Sequence, residues 1–416
     1  MDRQNTGTAD GLLLLAVLVL CGFGLLILYS SSAYNGQVRF GDSAYYFKKQ
    51  LFAMTLGLAA MAAMSAVDYH MLRRFSGAGY LLSLALSGAV LLFGDAYNGS
   101  RRWLSIGPVS FQPSEYAKPA VILLLAGIIS RASRRHGPED PERRNRASRR
   151  RGPEEANTDA GKISAAGRPG VRANGRSSGA AMIALVFLAV LPIVALVGTN
   201  NLSTAVIILG IAVILIFVSS PRYLPFLGII AAGSGFLAVF LSLESYRLER
   251  LAIWRNPELY EKGYQTMQGL YAIGSGGLFG LGFGKGLQKL GFVPEAQNDM
   301  IFSVICEEMG LVGAVLLMLL FLLLLWRFMV IATHAPDLFG SLIAAGIMGH
   351  IAIQVILNIA VVTNTIPNTG ITLPFISYGG TSMCFLLAEM GMALSVSRFC
   401  RYPGKRCAGY GRNSPA

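Results

Sequence analysis

The sequence predicts an all-α integral membrane protein with about ten transmembrane helices, and three observations lead to this fold class. Apolar residues make up 53% of the chain and charged residues only 14%, whereas a soluble globular protein carries about 25% charged residues. The mean hydropathy is positive, at +0.53. The apolar residues also form long unbroken runs, whereas a large soluble core shows helix or strand periodicity.

Ten of these runs are long enough to cross the hydrocarbon of a bilayer, which takes roughly 20 residues of helix. They cover residues 11–32, 45–67, 77–94, 113–131, 179–198, 202–219, 223–243, 300–332, 340–364 and 377–399. Lipid offers the backbone no hydrogen-bond partner, so these segments are expected to be helical. The first run is too long for a signal peptide and is interpreted as a retained span. Residues 1–416 are therefore treated as a single polytopic membrane domain.

The distribution of charge predicts the orientation of the chain. The net charge is +13, and residues 131–176 alone hold 13 basic and six acidic residues, a net charge of +7. The tail at 399–416 is basic as well. This concentration argues against a nucleic-acid-binding protein. By the positive-inside rule the loop and the tail are cytoplasmic, and an even number of spans puts both termini there.

Two polar segments interrupt the apolar pattern. Residues 132–177 contain almost no large apolar side chain and are interpreted as a disordered, Arg-rich cytoplasmic loop. A docking site for anionic lipid or for a partner is the alternative. Residues 244–299, between the seventh and eighth spans, mix six basic and six acidic residues with aromatic side chains. We expect them to form a large, ordered extracellular loop, where chemistry is commonly placed.

A glycine-rich stretch, GSGGLFGLGFGKG at residues 274–286, lies inside this extracellular loop. It fits neither the Walker register nor the GxGxxG register of phosphate-binding loops. We interpret it as a tightly turned or flexible segment. Because glycine lets backbone approach a bulky ligand closely, a role in binding is the alternative.

Acidic residues follow where the loop enters the eighth span. Asp299 stands at the start of the span, where an acid caps a helix, or where it can carry chemistry. Glu307 and Glu308 lie two turns into the span. Ionisable groups at that depth are functional candidates by default, or they pair with Lys or Arg and hold the fold.

The block GSRRWLSIGPVSFQPSEYAKPA precedes the fourth span on the predicted outer face. Pro113 suits the first turn of a helix, and Glu115 stabilises that end. Lys118 lies three residues further on, so a local ion pair with Glu115 is the plain structural interpretation. Arg101 and Arg102 run against the positive-inside trend and indicate an anionic ligand, such as a pyrophosphate.

The block NTIPNTGITLPFISYGGTSM separates the last two spans. Its two prolines and three glycines break the helix, and broken backbone at membrane depth usually lines a cavity. The five cysteines form no CxxC pair and the four histidines are scattered, so the sequence indicates neither a disulfide framework nor a zinc site.

Four segments resemble the SEDS family of shape, elongation, division and sporulation proteins, which includes FtsW, RodA and SpoVE. They are the glycine-rich stretch, the segment around Asp299, Glu307 and Glu308, and the two blocks before the fourth span and between the last two spans. The resemblance runs from Tyr29-Ser30 to the last span. The segments Thr369–Pro374 and Gln288–Leu290 are more similar to the FtsW/SpoVE branch than to RodA. The resemblance implies a ten-helix peptidoglycan glycosyltransferase of the bacterial plasma membrane. It would polymerise lipid II at the outer face during division, elongation or sporulation, with a class B penicillin-binding protein as its transpeptidase partner.

The resemblance also implies roles for individual residues. The family's proposed catalytic aspartate corresponds to Asp299. The glutamate and the lysine of the family's QPSE..K block correspond to Glu115 and Lys118. The predicted substrate-binding residues are Arg101, Arg102, Glu115, Lys118 and Lys289. Lipid II carries an α-linked sugar pyrophosphate and the polymer link is β, so one in-line displacement with Asp299 as general base inverts the centre. Mg²⁺ or Mn²⁺ is a further expectation, although such an ion leaves little trace in sequence.

Two other functions fit the same substrate. A lipid II flippase would place ionisable groups and broken helices near the midplane, and a non-catalytic scaffold would only recruit the transpeptidase. The chain departs from the family pattern at three places. It has Asn298-Asp299-Met300 in place of Thr-Asp-Phe, Thr199-Asn200-Asn201 in place of Gln-Pro-Asp, and an unexpected acid, Glu389, midway through the tenth span.

Overall fold

The computed structural model describes residues 8–97, 100–106, 109–136, 174–219 and 251–400, together with Gly235. Apart from Gly235, the predicted seventh span at 223–243 lies outside the described residues, as do most of the Arg-rich loop at 132–177 and most of the tail at 399–416. The first seven residues of the predicted extracellular loop, 244–250, lie outside them as well.

Long helices dominate the part of the chain that the structure describes. They are α1 (Gly11–Phe40), α2 (Tyr45–Ala66), α3 (Tyr69–Phe93), α4 (Pro113–His136), α5 (Asn174–Asn200), α6 (Leu202–Ser219), α7 (Tyr264–Gly276), α8 (Ile301–His334), α9 (Leu338–Val362) and α10 (Gly380–Ser397). Seven of them, namely α1, α3, α4, α6, α8, α9 and α10, are long and apolar enough to cross a membrane. The prediction of a multi-pass, mainly α-helical membrane protein is thus confirmed, and α2 and α5 coincide with two more predicted spans.

Local sequence explains where several helices begin and end. The Asp10 carboxylate accepts hydrogen bonds from the N–H groups of Leu12 and Leu13 and so caps α1. Gly41, at φ +70°, ends the same helix in the left-handed region that favours glycine. As the sequence predicts, α4 begins at Pro113, whose missing N–H costs nothing at that position.

A small antiparallel sheet connects α3 to α4, and the sequence did not predict it. It comprises β1 (Asp95–Tyr97), β2 (Ser100–Ile106) and β3 (Val109–Phe111), in the order β1-β2-β3. This segment lies outside the apolar runs, where water can satisfy the unpaired edges of strands. The sheet holds β2, which carries the predicted arginines, beside the start of α4.

The glycine-rich stretch is tightly turned against the beginning of α8, which confirms the favoured interpretation. The N–H groups of Leu281 and Gly282 donate to the carbonyl oxygens of Glu307 and Glu308, at 2.9 and 3.0 Å. A Cβ at Gly276 would lie 1.9 Å from the carbonyl oxygen of Cys306, so a side chain there would push the turn away. The backbone of α8 is itself interrupted nearby, at Gly310.

The chain between α9 and α10 is non-helical, as the prolines and glycines of this segment predict. The N–H of Tyr378 donates to the carbonyl oxygen of Gln297 at 2.9 Å. This bond ties the broken segment to the end of the predicted extracellular loop, two residues before Asp299. The two parts of the chain therefore meet in space, and a large cavity opens beside them.

Candidate active site

A cavity of about 1160 Å³ lies where α2, α4, α6, α9 and α10 meet the sheet and the 251–299 segment. This volume exceeds the roughly 300–1,000 Å³ of pockets for drug-sized ligands. Six basic and three acidic side chains of the described residues line it: Arg39, Lys48, Lys49, Arg102, Lys118, Lys262, Glu115, Glu295 and Asp299. The excess of positive charge favours an anionic ligand.

Four of the predicted site residues meet in this cavity although they come from distant parts of the chain. Arg102 comes from β2, Glu115 and Lys118 from the first two turns of α4, and Asp299 from the residue pair that precedes α8. The side chain of Arg101 lies outside the described residues. Lys289 is not among the lining residues that the structure describes.

Asp299 sits in the cavity wall with only 8% of its surface exposed. The side-chain amide of Gln265, on α7, donates a hydrogen bond to Oδ1 at 3.2 Å. The buried Asn358, on α9, donates to the backbone carbonyl of Asp299 at 2.9 Å. The residue at the cap position of α8 is Met300, and no side chain caps this helix, so the structure does not favour capping as the role of the aspartate.

The pKa of the Asp299 carboxyl is raised to about 7, chiefly because burial penalises the charged form. The nearby charge of Glu295 raises the pKa further. Hydrogen bonds from the backbone of Asp299 and Met300 and from Gln265 act in the opposite direction and favour the carboxylate. A carboxyl with a pKa near neutrality is suited to take up a proton during a reaction at physiological pH.

Glu115 and Lys118 form the ion pair that their spacing predicts, with Nζ 3.0 Å from Oε2. The side chain of Lys118 is 3% exposed and that of Glu115 is 12% exposed, whereas an ordinary helix pair lies in solvent. The hydroxyl of Ser382, at the start of α10, donates to the same Oε2 at 2.6 Å. Nζ of Lys118 also donates to Oε1 of Gln354, on α9, at 3.3 Å. Three helices therefore converge on one carboxylate and one ammonium group at the cavity wall.

Arg102 is anchored through the Nε atom of its guanidinium group. Its Nε donates to the carbonyl oxygen of Asn200, at the end of α5, at 2.8 Å. The adjacent Asn201 also lines the cavity, and its Oδ1 accepts a hydrogen bond from the N–H of Thr204 at 3.2 Å. Asn201 replaces the family's aspartate and still caps α6, so the helix start survives this departure.

Sequence reasoning missed four basic residues of the cavity: Arg39, Lys48, Lys49 and Lys262. Lys48 is exposed and pairs with Asp42 at 2.8 Å, and Nζ of Lys49 lies 4.6 Å from the ring centroid of Tyr45. Arg39 and Lys262 lie in segments predicted to be outside the cell, whereas Lys48 and Lys49 lie at the start of the predicted second span. Arg39 and Lys262 oppose the positive-inside trend as Arg102 does, so the same signal could have identified them.

Lys289 has a different environment from the one predicted. Its Nζ contacts the buried carboxylate of Glu308 at 2.5 Å and the hydroxyl of Ser30 at 2.6 Å. Glu307 accepts hydrogen bonds from the N–H groups of Leu287 and Gln288, at 2.7 and 3.0 Å. These contacts join α1, the glycine-rich turn and α8. Lys289 thus takes part in the packing of the loop, and its assignment to substrate binding stays a prediction.

The residues that the structure describes do not build a protein-only metal site. No group of three or more His, Cys, Asp or Glu side chains among the described residues is arranged to hold an ion. In the cavity, Glu115 is paired with Lys118 and Asp299 stands beside Gln265. The expectation of Mg²⁺ or Mn²⁺ thus stays a prediction, and no chemical step is derived through a metal.

Comparison with known proteins gives a consistent picture. The family of cell cycle proteins typified by FtsW, RodA and SpoVE matches residues 11–402. Stage V sporulation protein E of Bacillus subtilis is 39% identical over 408 residues, covering 97% of this chain and all of that one. A probable peptidoglycan glycosyltransferase FtsW of the same organism is 34% identical, covering 97% of this chain and 94% of its own.

Solved structures have the same fold. A chain from a peptidoglycan synthase complex, described as coordinating polymerization and crosslinking, matches with a TM-score of 0.69 and 28% identity. That match covers 94% of this chain and 98% of the other. The rod shape determining protein RodA of Thermus thermophilus matches with a TM-score of 0.62 and 27% identity, over 94% and 97% of the two chains.

Proposed function

The chain belongs to the FtsW/RodA/SpoVE family of cell cycle proteins, and we propose that this peptidoglycan glycosyltransferase polymerises lipid II with Asp299 as its general base. One observation carries the proposal. A single large cavity unites a buried carboxyl, whose pKa is about 7, with basic side chains from β2 and α4. Those are the two kinds of group that an inverting transfer from a sugar pyrophosphate requires.

The reaction follows from the chemistry of the substrate. The 4-hydroxyl of the acceptor sugar attacks C1 of the donor sugar, and the carboxylate of Asp299 takes up the hydroxyl proton. A C–O bond forms at C1 while the bond from C1 to the pyrophosphate breaks, so the α-linked centre becomes β. The departing polyprenyl pyrophosphate keeps the electron pair, and the charges of Lys118 and Arg102 stabilise it. Stabilising charge that develops in the transition state is what accelerates the step.

The walls of the cavity also suit a substrate with a lipid tail. Phe52 and Leu56, on α2, line the cavity and are themselves 72% and 56% exposed. They belong to a predicted span, so their exposed faces meet lipid. A polyprenyl chain can stay in the bilayer along α2 while the charged and polar part of the molecule reaches the basic residues inside.

The remaining parts of the proposal concern orientation and partners. The cavity faces the outside of the bacterial plasma membrane and both termini are cytoplasmic, which the concentration of basic residues in the 131–176 segment supports. A class B penicillin-binding protein is the proposed transpeptidase partner. The similarity to a chain of a peptidoglycan synthase complex supports this assignment.

The substitution Asp299→Asn tests the proposed base. Asn keeps the size of the side chain and still accepts the hydrogen bond from Gln265, but it cannot take up a proton. We expect polymerisation of labelled lipid II by the purified protein to fall about 10²–10⁴-fold, with normal membrane abundance. The matched control is Asp68→Asn, which alters the exposed cap of α3 and is expected to leave the rate unchanged.

The contrary outcome is equally specific. If Asp299→Asn retains more than roughly a tenth of the wild-type rate at equal membrane abundance, a general-base role for Asp299 is excluded. Wild-type protein that moves lipid II across vesicles without forming polymer would support the flippase. Wild-type protein with neither activity would support a scaffold.

A further inference from the structure

A stripe of polar side chains runs along one face of α9, which is otherwise almost entirely apolar. His350, Gln354 and Asn358 follow one another at intervals of four residues, so they share a face. Their exposed fractions are 2%, 5% and 0%. Polar groups buried at this depth in a membrane helix are costly unless they are paired, and each of these three is hydrogen-bonded.

The stripe begins at the ion pair that accounts for Glu389. Nδ1 of His350 lies 2.7 Å from Oε2 of Glu389, on α10, and Nε2 lies 2.9 Å from Oε1 of Gln354. An amide oxygen only accepts hydrogen bonds, so Nε2 must carry a hydrogen. A second proton then lies between Nδ1 and the carboxyl group. Whichever of those two atoms holds it, the pair is neutral overall, which suits its burial.

Gln354 connects this pair to the active site. Its Oε1 accepts hydrogen bonds from Nε2 of His350 and from Nζ of Lys118, while its Nε2 donates to the carbonyl oxygen of Thr372 at 3.0 Å. The amide is therefore held at both ends, and its oxygen is turned toward Lys118. With Glu115 and Gln354 as acceptors, Lys118 uses two of its three N–H donors among the described residues, and one can face a ligand in the cavity.

Asn358 performs the corresponding task for the other half of the site. Its amide nitrogen donates to the carbonyl oxygens of Asp299 at 2.9 Å and Ile371 at 2.7 Å. Gln354 and Asn358 thus hold neighbouring residues of the broken segment, Thr372 and Ile371. The stripe on α9 consequently fixes both the base and the cation relative to one rigid helix.

We infer that Glu389, His350 and Gln354 form a relay of positioning residues that sets the direction of the Lys118 ammonium group toward the departing pyrophosphate. The inference rests on the proposed function and names residues that act through Lys118 without touching substrate. Glu389 fixes the hydrogen on Nε2 of His350, His350 fixes the amide of Gln354, and Gln354 fixes Lys118. A plain structural pair makes a different prediction, because replacing a buried ion pair with apolar residues of similar volume is often neutral or stabilising.

Two substitutions of similar size separate these interpretations. Glu389→Gln can still donate an N–H to Nδ1 and so keeps the hydrogen on Nε2, whereas Glu389→Met offers no partner. We expect the polymerisation rate of Glu389→Gln to stay within about twofold of the wild-type rate. We expect Glu389→Met to lower kcat about 10- to 100-fold with little change in KM, since misplacement of a catalytic group by 1 Å can cost about 10². Thermal unfolding is measured for both variants.

A double-mutant cycle with Lys118→Met tests whether the effect passes through the lysine. If it does, adding Glu389→Met to Lys118→Met causes no further loss, because coupled residues are not additive. The paired replacement His350→Leu with Glu389→Met leaves no orphaned partner, and it should remain folded and lose activity.

Equal rates for Glu389→Gln and Glu389→Met overturn the relay, as do losses that multiply independently of Lys118. Full activity in the folded His350→Leu, Glu389→Met variant overturns it as well. In each case wild-type polymerisation persists and still depends on Asp299, so failure of the relay is distinct from failure of the proposed function.

Discussion

The contacts of Asp299 predict that two substitutions shift the pH dependence of polymerisation in opposite directions. The carboxyl is active as a base only when it is deprotonated, so kcat/KM should rise with pH through about 7, the pKa of this group. Gln265→Met keeps the length of the side chain and removes its hydrogen bond to Oδ1. Because that bond stabilises the carboxylate, its loss raises the pKa and moves the acidic limb to higher pH.

The size of the shift follows from the bond that is removed. A hydrogen bond to a charged group contributes about 1.5–3 kcal/mol, and one pKa unit corresponds to about 1.4 kcal/mol. A distance of 3.2 Å is at the long end of the usual range, so a shift of about one unit is expected. At pH 7 the fraction of carboxylate then falls from about one half to about one tenth, and the rate falls about fivefold.

Glu295→Gln is the matched control of opposite sign. Removal of its negative charge lowers the pKa of Asp299, so the acidic limb moves to lower pH. Initial rates on labelled lipid II are measured between pH 5 and 9 in ~0.5-unit steps, finer than the expected shift of about one unit. The rates of wild type and both variants should converge at a pH above all three limbs. If Gln265→Met leaves the limb in place, or if both variants move it in the same direction, the titrating base is a group other than Asp299.

Two further predictions concern the ion pair of α4 and the orientation of the chain. Glu115→Gln should lower turnover at least about tenfold at normal membrane abundance, because it removes the charge that holds Lys118; an exposed pair would contribute only about 0.3–0.5 kcal/mol to stability, and near-wild-type turnover would return the pair to that role. A single cysteine introduced by Glu261→Cys should react with a membrane-impermeant thiol reagent in intact cells. A single cysteine introduced by Ser148→Cys should not react. Labelling of Ser148→Cys alone would reverse the proposed orientation.

The long apolar helices were predictable because each is encoded by its own local sequence, whereas α7 was not predicted within the 244–299 loop. An apolar run of sufficient length has one stable solution in a bilayer, and Asp10 and Pro113 mark helix starts by the hydrogen bonds they make or lack. The sheet at 95–111 was not predictable in the same way. Its strands are three to seven residues long, too short for an alternation of polar and apolar residues to stand out.

The composition of the site was only partly predictable, because its properties depend on partners distant in sequence. Lys289 stands in a family motif, but its position relative to Ser30, 259 residues away, and to Glu308 is a tertiary property. Glu389 was unexplained because its partner, His350, is 39 residues away on another helix. The raised pKa of Asp299 likewise comes from burial, which sequence spacing does not report.

The intramembrane ionisable residues bear on the choice between polymerase and flippase. A transporter coupled to ions or protons would direct such groups into its pathway near the midplane. Here Glu307 and Glu308 are bound by the glycine-rich turn and by Lys289, and His350 is paired with Glu389. None of these lines the cavity among the described residues. The carboxylates that do line it, Glu115, Glu295 and Asp299, belong to segments at its predicted outer end, where a base and a set of cations serve a transfer reaction. The arrangement therefore favours a fixed catalytic site that opens outward. It is less suited to a transport pathway that alternates between the two sides of the membrane.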